Sequence, residues 1–461
     1  MSDLRETLFN ETKNGYDRIT VAERVEAEAY CRHYMAFLDR ARTEREAVKL
    51  AVELAEARGF APYVPGMPLK AGDKVYSINR GKGVQLAVIG KKSLGEGAVI
   101  CGAHIDNPRL DLKPNPLYEQ DELAYLKTHY YGGIKKYQWL ATPLELHGVV
   151  LLKNGESVEV TLGREKDEPR FVITDLLPHL AQEQVKKPMS EAVTGEGLTI
   201  LIGSAPYADE GKDRVKLAVL SILNDLYGMT ESDFLSAELT AVPAYDVCEI
   251  GLDRSMIGGY GHDDRVCAFA GLWALFELET PERTCVCLLA DKEEVGSEGV
   301  TGMQSAAFDA FMEDLCEAQG VKLRRCFENS VCVSADVTTA FDPLYPEVYD
   351  KRNIAKLNYG IGVCKYTGSR GKYNTSDASA ELVSRLRRTL DAAGVVWQLV
   401  EIGKVDQGGG GTIARFMATR NIDTVDAGVP VLSMHAPFEV VSKLDCYMTW
   451  KAVLAVYSEK A

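Results

Sequence analysis

The chain has 461 residues, 46% of them hydrophobic and 26% charged, which is typical of a globular protein with two or three domains. The formal net charge of −15 excludes nucleic acid as the main partner, because binding to phosphates requires a basic surface. We find no apolar run of about 18 residues that would span a membrane. The N-terminus also has no apolar signal-peptide core, so we expect neither a membrane protein nor a secreted one.

The cysteines predict a reducing compartment. There are eleven, an odd number, and most lie inside apolar runs, as Cys285 and Cys287 do. No two of them have the CxxC spacing of a zinc ribbon or a redox motif. We therefore expect reduced core cysteines and a cytoplasmic location.

The N-terminal region is predicted to contain two helices and three short strands. Apolar residues recur at helical spacing from about residue 20 to residue 58, and Gly59 marks the end of the second helix. The strands are predicted at Lys74–Ile78, Val84–Ile89 and Gly97–Cys101. The last strand leads into His104 and Asp106, whose spacing lets both point to one side. A metal-binding histidine needs an acceptor for its second ring nitrogen, so this pair is a candidate site; a turn-capping histidine is the alternative.

The composition changes after about residue 110. Residues 114–145 are rich in Tyr, Pro, Gly and charge, which predicts a long loop with little regular structure. Strands are predicted beyond it at Val149–Lys153, Val158–Leu162 and Leu198–Gly203, with a helix at Val215–Tyr227. We therefore predict an inserted β-rich oligomerisation domain at 110–243. It divides a catalytic domain into two parts, 1–109 and 244–461.

Strands and helices alternate again after residue 243. Helices are predicted at Val266–Glu277, Ser305–Cys316, Ser376–Leu390 and Val440–Tyr457. Strands are predicted at Tyr245–Gly251, Thr284–Leu289, Ser330–Ala335, Val396–Ile402, Thr424–Gly428 and Val431–Met434. This alternation is typical of an α/β fold, in which ligands bind at the carboxyl ends of the strands.

Side chains that bind metals stand at several strand ends and at one helix start. They are His104, Asp263 or Asp264, Glu293, Glu294, Asp336 and His435. Taken singly, the two glutamates are also typical of a solvated turn, and the aspartates of a helix N-cap. Together, two histidines and several carboxylates without a cysteine suit zinc, manganese or cobalt. The set is larger than one catalytic metal requires. It suits two metals with a bridging carboxylate and a shared water as nucleophile.

Four motifs in this order resemble those of the aspartyl aminopeptidase family of metallopeptidases, the M18 family. Gly102–Pro108 matches the family's GAHxDxP, Asp291–Ser297 its DxEEVGS, Ser334–Asp336 its SAD, and Ser433–His435 its C-terminal MH. The order and spacing match over essentially the whole chain. The resemblance implies an α/β fold in which helices flank a mixed sheet, like that of zinc-dependent exopeptidases and phosphorylase/hydrolase-like proteins. It also implies that the inserted β-rich domain is a dimerisation domain.

The resemblance implies two divalent metal ions per subunit, zinc first, with cobalt or manganese as alternatives. The implied ligands are His104 and Asp336 for one metal, Glu294 and His435 for the other, and Asp263 as the bridge. Glu293 would be the general base that activates the bridging water, and Asp106 would orient His104. The family has Asp-Asn where this chain has Asp-Asp, so Asp263 is assigned as the bridge and Asp264 as the replacement of the Asn.

The resemblance also suggests residues that bind substrate. The segment around His179 is similar to one in which a histidine reaches the active site of a neighbouring subunit; an interface or loop histidine is the alternative. Lys365 lies in a segment similar to the one that supplies a lysine for a substrate carboxylate. The residues after it differ from the family, and Arg370 and Lys372 are weaker candidates for this role.

The run Gly408–Gly411 has no P-loop lysine and lacks the P-loop spacing. We interpret it as a close approach of the backbone to a bound peptide, with Gly410 and Thr412 binding substrate.

The implied function is removal of N-terminal residues, acidic ones (Asp or Glu) by preference, from peptide substrates by a metal-dependent aminopeptidase. The implied partners are further copies of the chain, with a dimer as building block and a dodecamer as the assembly. Three alternatives stay open: a neutral or broad N-terminal specificity, deacylase or carboxypeptidase activity on the same two metals, and a non-catalytic assembly component. An N-acetylated peptide distinguishes an aminopeptidase from a deacylase, because an aminopeptidase requires a free amine.

Overall fold

The protein, in a computed structural model, is described at residues 4, 7–10 and 12–459. Residues 1–3, 5 and 6, on which the signal-peptide prediction partly rested, lie outside the described residues. Among those that are described, no helix is long and apolar enough to cross a membrane.

The helices are α1 (Val21–Arg40), α2 (Glu44–Glu56), α3 (Met189–Ala192), α4 (Arg214–Tyr227), α5 (His262–Phe276), α6 (Ala307–Glu317), α7 (Leu323–Glu328), α8 (Ala380–Ala392), α9 (Ala414–Thr419) and α10 (Lys443–Tyr457).

Capping boxes begin the first two helices. The Thr20 side chain accepts a hydrogen bond from the Glu23 amide, and Glu23 bonds back to the Thr20 amide. Thr43 and Glu46 repeat the arrangement at α2. Each box satisfies amide groups that a helix start otherwise leaves without partners. The predicted pair of helices is confirmed, with the second ending at Glu56 before the turn at Gly59.

The largest sheet has nine strands in the order β1-β2-β3-β13-β4-β14-β18-β16-β17. Its strands are β1 (Ala61–Pro62), β2 (Lys74–Asn79), β3 (Gly83–Val88), β4 (Val99–His104), β13 (Cys285–Ala290), β14 (Val331–Ser334), β16 (Ile361–Cys364), β17 (Trp397–Val400) and β18 (Asp423–Gly428). The central strands β13, β4, β14 and β18 run parallel to one another. Their carboxyl ends therefore meet at one edge of the sheet.

Both faces of this sheet are covered, which explains why the central strands read as continuous apolar runs. Val99, Cys101 and Ala103 face one core together with α1, α5 and α10. Ile100 faces the opposite core, which α6, α7 and α9 cover. The alternation follows from the period of two in a strand. The predicted α/β fold with a mixed sheet flanked by helices is confirmed.

A second, six-stranded sheet is antiparallel and is formed within residues 109–243, in the order β8-β7-β10-β5-β6-β9. Its strands are β5 (Arg109–Gln120), β6 (Leu123–Tyr131), β7 (Leu144–Leu151), β8 (Ser157–Leu162), β9 (Thr199–Gly203) and β10 (Ala237–Pro243). Helix α4 packs on β5, β6 and β9. The sheet coincides with the region predicted from sequence as an insertion.

The prediction of a loop over 114–145 is wrong, because β5 and β6 form a long hairpin there. Asp121 and Glu122 make its turn, both with positive φ, as a two-residue hairpin of this twist requires. Pro114 and Pro116 cannot donate to the ladder, and the register shifts between Leu112 and Leu117. Prolines and charged residues are typical of loops, but the hairpin accommodates them where its register shifts.

Buried ion pairs join this sheet to the N-terminal helices. Arg42, between α1 and α2, places Nε 2.6 Å from Oε1 of Glu145 on β7, and both side chains are buried. His147, two residues further along β7, places Nδ1 2.7 Å from Oε1 of Glu46 on α2. The inserted sheet is thus tied to the rest of the molecule by charges as well as by its two chain connections.

A third sheet has the strand order β11-β12-β20-β19-β15. Its strands are β11 (Cys248–Ile250), β12 (Met256–Gly259), β15 (Thr338–Thr339), β19 (Pro430–Leu432) and β20 (Glu439–Ser442). Strand β20 occupies the first residues of the helix predicted at Val440–Tyr457, so that helix begins at Lys443 instead. The turn between β19 and β20 carries His435.

Candidate metal centre and active site

Three neighbouring parallel strands deliver acidic and imidazole side chains to one edge of the large sheet. Strand β4 ends at His104, which is in register with Ala290 at the end of β13. Glu293 and Glu294 follow β13 in a short 3-10 turn, and Asp336 follows β14 by two residues. The change from apolar to charged residues marks the carboxyl end of each strand.

Two further groups reach this edge from other elements. Asp263 lies at the start of α5. Its φ of −81° and ψ of 103° are not helical, so the backbone bends at this residue. His435 follows β19 with a φ of 64°. The five predicted ligands therefore converge although they are far apart in sequence.

The ligand atoms form two groups that share one residue. His104, Asp263 and Asp336 make the first group, and Asp263, Glu294 and His435 make the second; within each, the possible ligand atoms lie within 4.8 Å of one another. Oδ1 of Asp263 is 3.1 Å from Nε2 of His104. Oδ2 is 3.1 Å from Nε2 of His435, whose Nε2 is 3.6 Å from Oε2 of Glu294. Asp263 thus stands between the two groups, with one oxygen toward each.

The side chain of Asp264 has a different environment. Its Oδ2 accepts a hydrogen bond from the His104 amide at 3.3 Å, and it belongs to neither group of possible ligands. Burial, and then the charge of Asp263, raise the pKa of Asp264 well above its usual range.

The second ring nitrogen of each histidine has an oxygen acceptor. Nδ1 of His104 lies 3.0 Å from the Asp106 carbonyl oxygen and 3.3 Å from Oδ1 of its carboxylate. Nδ1 of His435 lies 2.8 Å from the Gly133 carbonyl oxygen. With a proton on Nδ1, each histidine presents the Nε2 lone pair to the groups around Asp263, which is the tautomer that a metal ligand requires.

Electrostatics in the cluster are dominated by burial and by the excess of acids. Burial opposes ionisation of Asp263, but its hydrogen bonds with His104 and His435 hold its pKa below the usual range. Burial, followed by the charge of Asp263, raises the pKa of Glu294 well above its usual value. Burial and then the charge of Asp264 do the same for Asp336. The ligand set therefore concentrates more negative charge than its own two histidines neutralise.

Glu293 lies beside His104 of the first group without belonging to either group. Its Oε2 is 3.9 Å from Nε2 of His104. Burial raises its pKa to about 7; the charge of His104 opposes this shift, and those of Asp106 and Asp263 add to it. A carboxyl group with a pKa near neutrality can both accept and release a proton in that pH range.

Comparison with known proteins decides the family. The family described as Aminopeptidase I zinc metalloprotease (M18) matches residues 37–457. The chain belongs to the M18 family. A curated protein of Clostridium acetobutylicum named "Probable M18 family aminopeptidase 1" is 48% identical over 451 residues, which are 96% of this chain and 97% of that protein. The resemblance inferred from the four motifs and the prediction of a metalloaminopeptidase, a hydrolase of peptide bonds, are confirmed.

Solved structures agree with the M18 assignment. The crystal structure of an M18 family aminopeptidase from Thermotoga maritima matches with a TM-score of 0.94 at 43% identity and covers 98% of this chain and 100% of its own. The structure of the S. cerevisiae mApe1 dodecamer matches with a TM-score of 0.76 at 21% identity, over 93% of this chain and 96% of its own. The second likeness is one of fold alone.

The residues of this M18 chain fit divalent cations. Two histidine nitrogens and several carboxylate oxygens without a thiolate are the donors that zinc, cobalt and manganese accept. Oε1 of Glu294 is buried and makes no hydrogen bond within the described part of the chain. A buried carboxylate oxygen without a partner is unfavourable. A cation held by the second group would give this oxygen a partner and offset the repulsion among the acids.

Sequence reasoning missed one carboxylate beside the ligand-type side chains. Glu439 is buried on β20, and its two oxygens accept hydrogen bonds from the amides of His435 at 2.7 Å and Asp263 at 3.1 Å. Burial raises its pKa to about 8, and the charge of Asp263 adds to the shift. A lone glutamate in an apolar run four residues after His435 was the available signal.

The four predicted substrate residues have contacts outside the cluster of ligand-type side chains. His179 is exposed on an irregular segment of the inserted region. Nζ of Lys365 lies 4.0 Å from Oδ1 of Asp377, and Thr412 donates to Asp426 at 2.7 Å. A side chain at Gly410 would meet open space. Within the described residues, no hydrogen bond or ion pair links these four to the five ligand-type side chains, so their roles stay predictions.

Proposed function

We propose that this M18 protein is an aminopeptidase that uses two divalent cations to remove N-terminal residues from peptides, with a preference for Asp and Glu. One observation carries the proposal: two groups of possible metal ligands share Asp263. A single carboxylate between two ligand sets is what a two-metal hydrolytic site requires. A single-metal site would leave one of the groups without a purpose.

Each cation has its own ligands in this proposal. His104 and Asp336 would hold the first, Glu294 and His435 would hold the second, and Asp263 would serve both. Zinc is the first candidate, with cobalt and manganese as alternatives. When bound, the cations supply Lewis-acid polarisation of the peptide carbonyl and lower the pKa of a water molecule.

The proton chemistry belongs to Glu293. Its carboxylate takes a proton from the attacking water and gives it to the leaving amine, so the residue acts first as base and then as acid. A pKa of about 7 supports both steps near neutral pH. Asp106 acts through His104, whose ring it orients by accepting from Nδ1.

The proposed acidic preference rests on local charge. Lys365 and Lys372 both lie within 4.0 Å of Asp377, which neutralises only one of them. The remaining positive charge is available to a substrate carboxylate. Gly410 lies in an open part of the glycine run, where a peptide backbone approaches without meeting a side chain. Thr412 supports this segment through its bond to Asp426.

We also propose a homo-oligomer in which residues 110–243 form the oligomerisation domain. Leu176, Leu177 and Leu180 around His179 are at least half exposed. Exposed apolar side chains in this number are typical of a protein contact. The yeast relative described as a dodecamer supports an assembly of that size, in which His179 would reach the site of a neighbouring subunit. A cytoplasmic location is supported by the eleven cysteines, all of which are free.

The test is hydrolysis of a panel of aminoacyl chromogenic substrates by metal-reconstituted protein, with and without a chelator. The panel contains Asp, Glu, Leu and Lys derivatives and one N-acetylated Asp derivative. We expect chelator-sensitive cleavage of the Asp and Glu substrates and none of the acetylated one.

Other outcomes select other functions. Cleavage of Leu over Asp would keep the two-metal site and discard the acidic pocket. Cleavage of the acetylated substrate would indicate a deacylase. Protein that holds both metals yet cleaves nothing in the panel would be an assembly component.

A further inference from the structure

We infer that the segment Tyr131–Gly133, at the end of β6 in the inserted sheet, positions the metal ligands and is therefore part of the metal centre. The inference rests on the proposed two-metal function. Three consecutive residues of this segment each contact a different group of the site. We call the segment the β6 strap.

The first contact of the β6 strap is made by a hydroxyl. Tyr131 donates to Oδ2 of Asp106 at 2.7 Å. Asp106 also accepts from the amides of Glu293 at 3.1 Å and Glu294 at 3.2 Å, and it faces Nδ1 of His104. Because Asp106 is completely buried, no bulk water is at hand to replace the hydroxyl. The Tyr131 hydroxyl thus fixes the carboxylate that aligns three residues of the site.

The ring of Tyr131 is held independently of its hydroxyl. It stacks under the guanidinium of Arg109, 4.2 Å from the ring centre, and the two residues are paired in the hairpin. Arg109 is in turn fixed by ion pairs of 2.8 Å with Glu44 and Asp111. Removing only the hydroxyl will therefore leave the ring in place.

The second contact is the close approach of Gly132. Its φ is +75°, and a β-carbon there would lie 3.2 Å from Oε2 and 3.3 Å from Cβ of Glu294. The residue thus combines a left-handed conformation, which favours glycine, with the lack of room for a side chain. The β6 strap packs directly on one of the proposed ligands.

The third contact is the carbonyl oxygen of Gly133, which accepts from Nδ1 of His435 at 2.8 Å. This bond selects the tautomer whose Nε2 lone pair faces Asp263 and Glu294. The β6 strap consequently holds ligands of both groups, His104 through Asp106 and His435 directly. The inserted sheet is required for metal affinity and not for assembly alone.

The first experiment replaces the hydroxyl by Tyr131→Phe. Such outer-shell partners typically change metal affinity by about 10- to 100-fold. We expect a zinc dissociation constant, measured by competition with a chromogenic chelator, that rises about 10-fold or more, and a half-saturating metal concentration for activity that rises with it. The control is Tyr76→Phe, which removes a buried tyrosine's bond of 2.6 Å to Glu56 on α2.

The second experiment compares two glycines of the inserted sheet. Gly132→Ala and Gly155→Ala impose left-handed φ values of 75° and 87° on alanine, but a β-carbon at Gly155 meets nothing within 4 Å. The backbone strain is therefore matched, and only Gly132→Ala presses on Glu294. We expect weakened zinc binding for Gly132→Ala and wild-type binding for Gly155→Ala.

The results separate the inference from the function on which it rests. Wild-type protein that binds no divalent cation would overturn the proposed function. Wild-type protein that binds two cations, with Tyr131→Phe equal to Tyr76→Phe and Gly132→Ala equal to Gly155→Ala, would overturn the role of the β6 strap alone. Thermal unfolding is recorded for every variant, and if Tyr131→Phe does not fold, the glycine pair decides.

Discussion

Oδ2 of Asp263 lies 3.1 Å from Nε2 of His435. The other oxygen of this carboxylate is equally close to the imidazole of His104. One side chain therefore joins the start of a helix to ligands from opposite ends of the sequence, and the two-metal proposal depends on it more than on any other residue.

The choice between the two neighbouring aspartates is directly testable. We expect Asp263→Asn to lose both cations on dialysis, with a fall in metal affinity larger than the roughly 100-fold upper end seen for outer-shell changes. The amide replaces one of the two oxygens by an NH2 group and removes the negative charge that the two ligand groups share. Asp264→Asn should retain both, since an amide oxygen still accepts from the His104 amide. Metal content by mass spectrometry measures the result. Equal loss in both variants would make Asp264 a ligand as well.

Glu293→Gln tests the proposed base. The amide keeps the size of the side chain but cannot take up a proton, and a general base contributes about 10²- to 10⁴-fold to the rate. We expect turnover to fall by that factor with both metals retained. Glu298→Gln, an exposed change in the same segment, serves as the control. A variant with near-wild-type turnover would remove Glu293 from the mechanism.

Lys365→Met tests the acidic preference. Loss of a hydrogen bond to a charged partner typically costs about 1.5–3 kcal/mol, or about 10- to 150-fold. We expect kcat/KM to fall by this factor for Asp and Glu substrates and to stay close to wild type for Leu. Lys372→Met asks whether the second lysine supplies the charge, and Lys322→Met is an exposed control. An equal loss on the Leu substrate would contradict a role in specificity.

His147 predicts a pH dependence of stability. Burial opposes its protonation, but its hydrogen bonds with Glu145 and Glu46 outweigh burial and raise its pKa to about 9. An unfolded histidine has a pKa of about 6.5, so the folded protein binds the proton more tightly. The stabilisation is complete below about pH 6.5 and is lost as the pH rises through about 9.

The measurement is urea unfolding across that range. We expect the free energy of unfolding to decline by on the order of 2–3 kcal/mol in the wild type, and much less in His147→Gln. The control His129→Gln, an exposed position on β6, should keep the wild-type decline. If wild type and His147→Gln lose the same amount of stability over this pH range, protonation of His147 does not cause the decline.

The convergence of the ligand-type side chains could be predicted from sequence because their signal is local. An apolar run that stops at Asp291 or at His104 marks the end of a buried strand, and parallel strands bring such ends together. The β5–β6 hairpin could not be predicted, since Pro114 and Pro116 are typical of loops and only pairing with β10 and β9 reveals the strands. The contacts of Tyr131 and Gly133 depend on that hairpin and left no trace in the sequence.

Glu439 shows a second limit. Its neighbours are apolar, and the sequence predicts a helix directly after it, so no pattern indicates which way its side chain points. Only the antiparallel pairing of β20 with β12 turns it toward the amides of Asp263 and His435. Groups that act through the backbone of a ligand have no fixed spacing from it, and sequence patterns do not find them.

The position of His435 has a consequence for synthesis of the protein. His435 is the last of the five proposed ligands in chain order, and α10, which packs on α5, follows it. Synthesis of a chain proceeds from the N-terminus, and its domains fold as units. A growing chain therefore carries the other four proposed ligands without the fifth, and its central strand β4 lacks the later partners β13 and β14, so the proposed metal centre is completed only after nearly all of this sequence has been made.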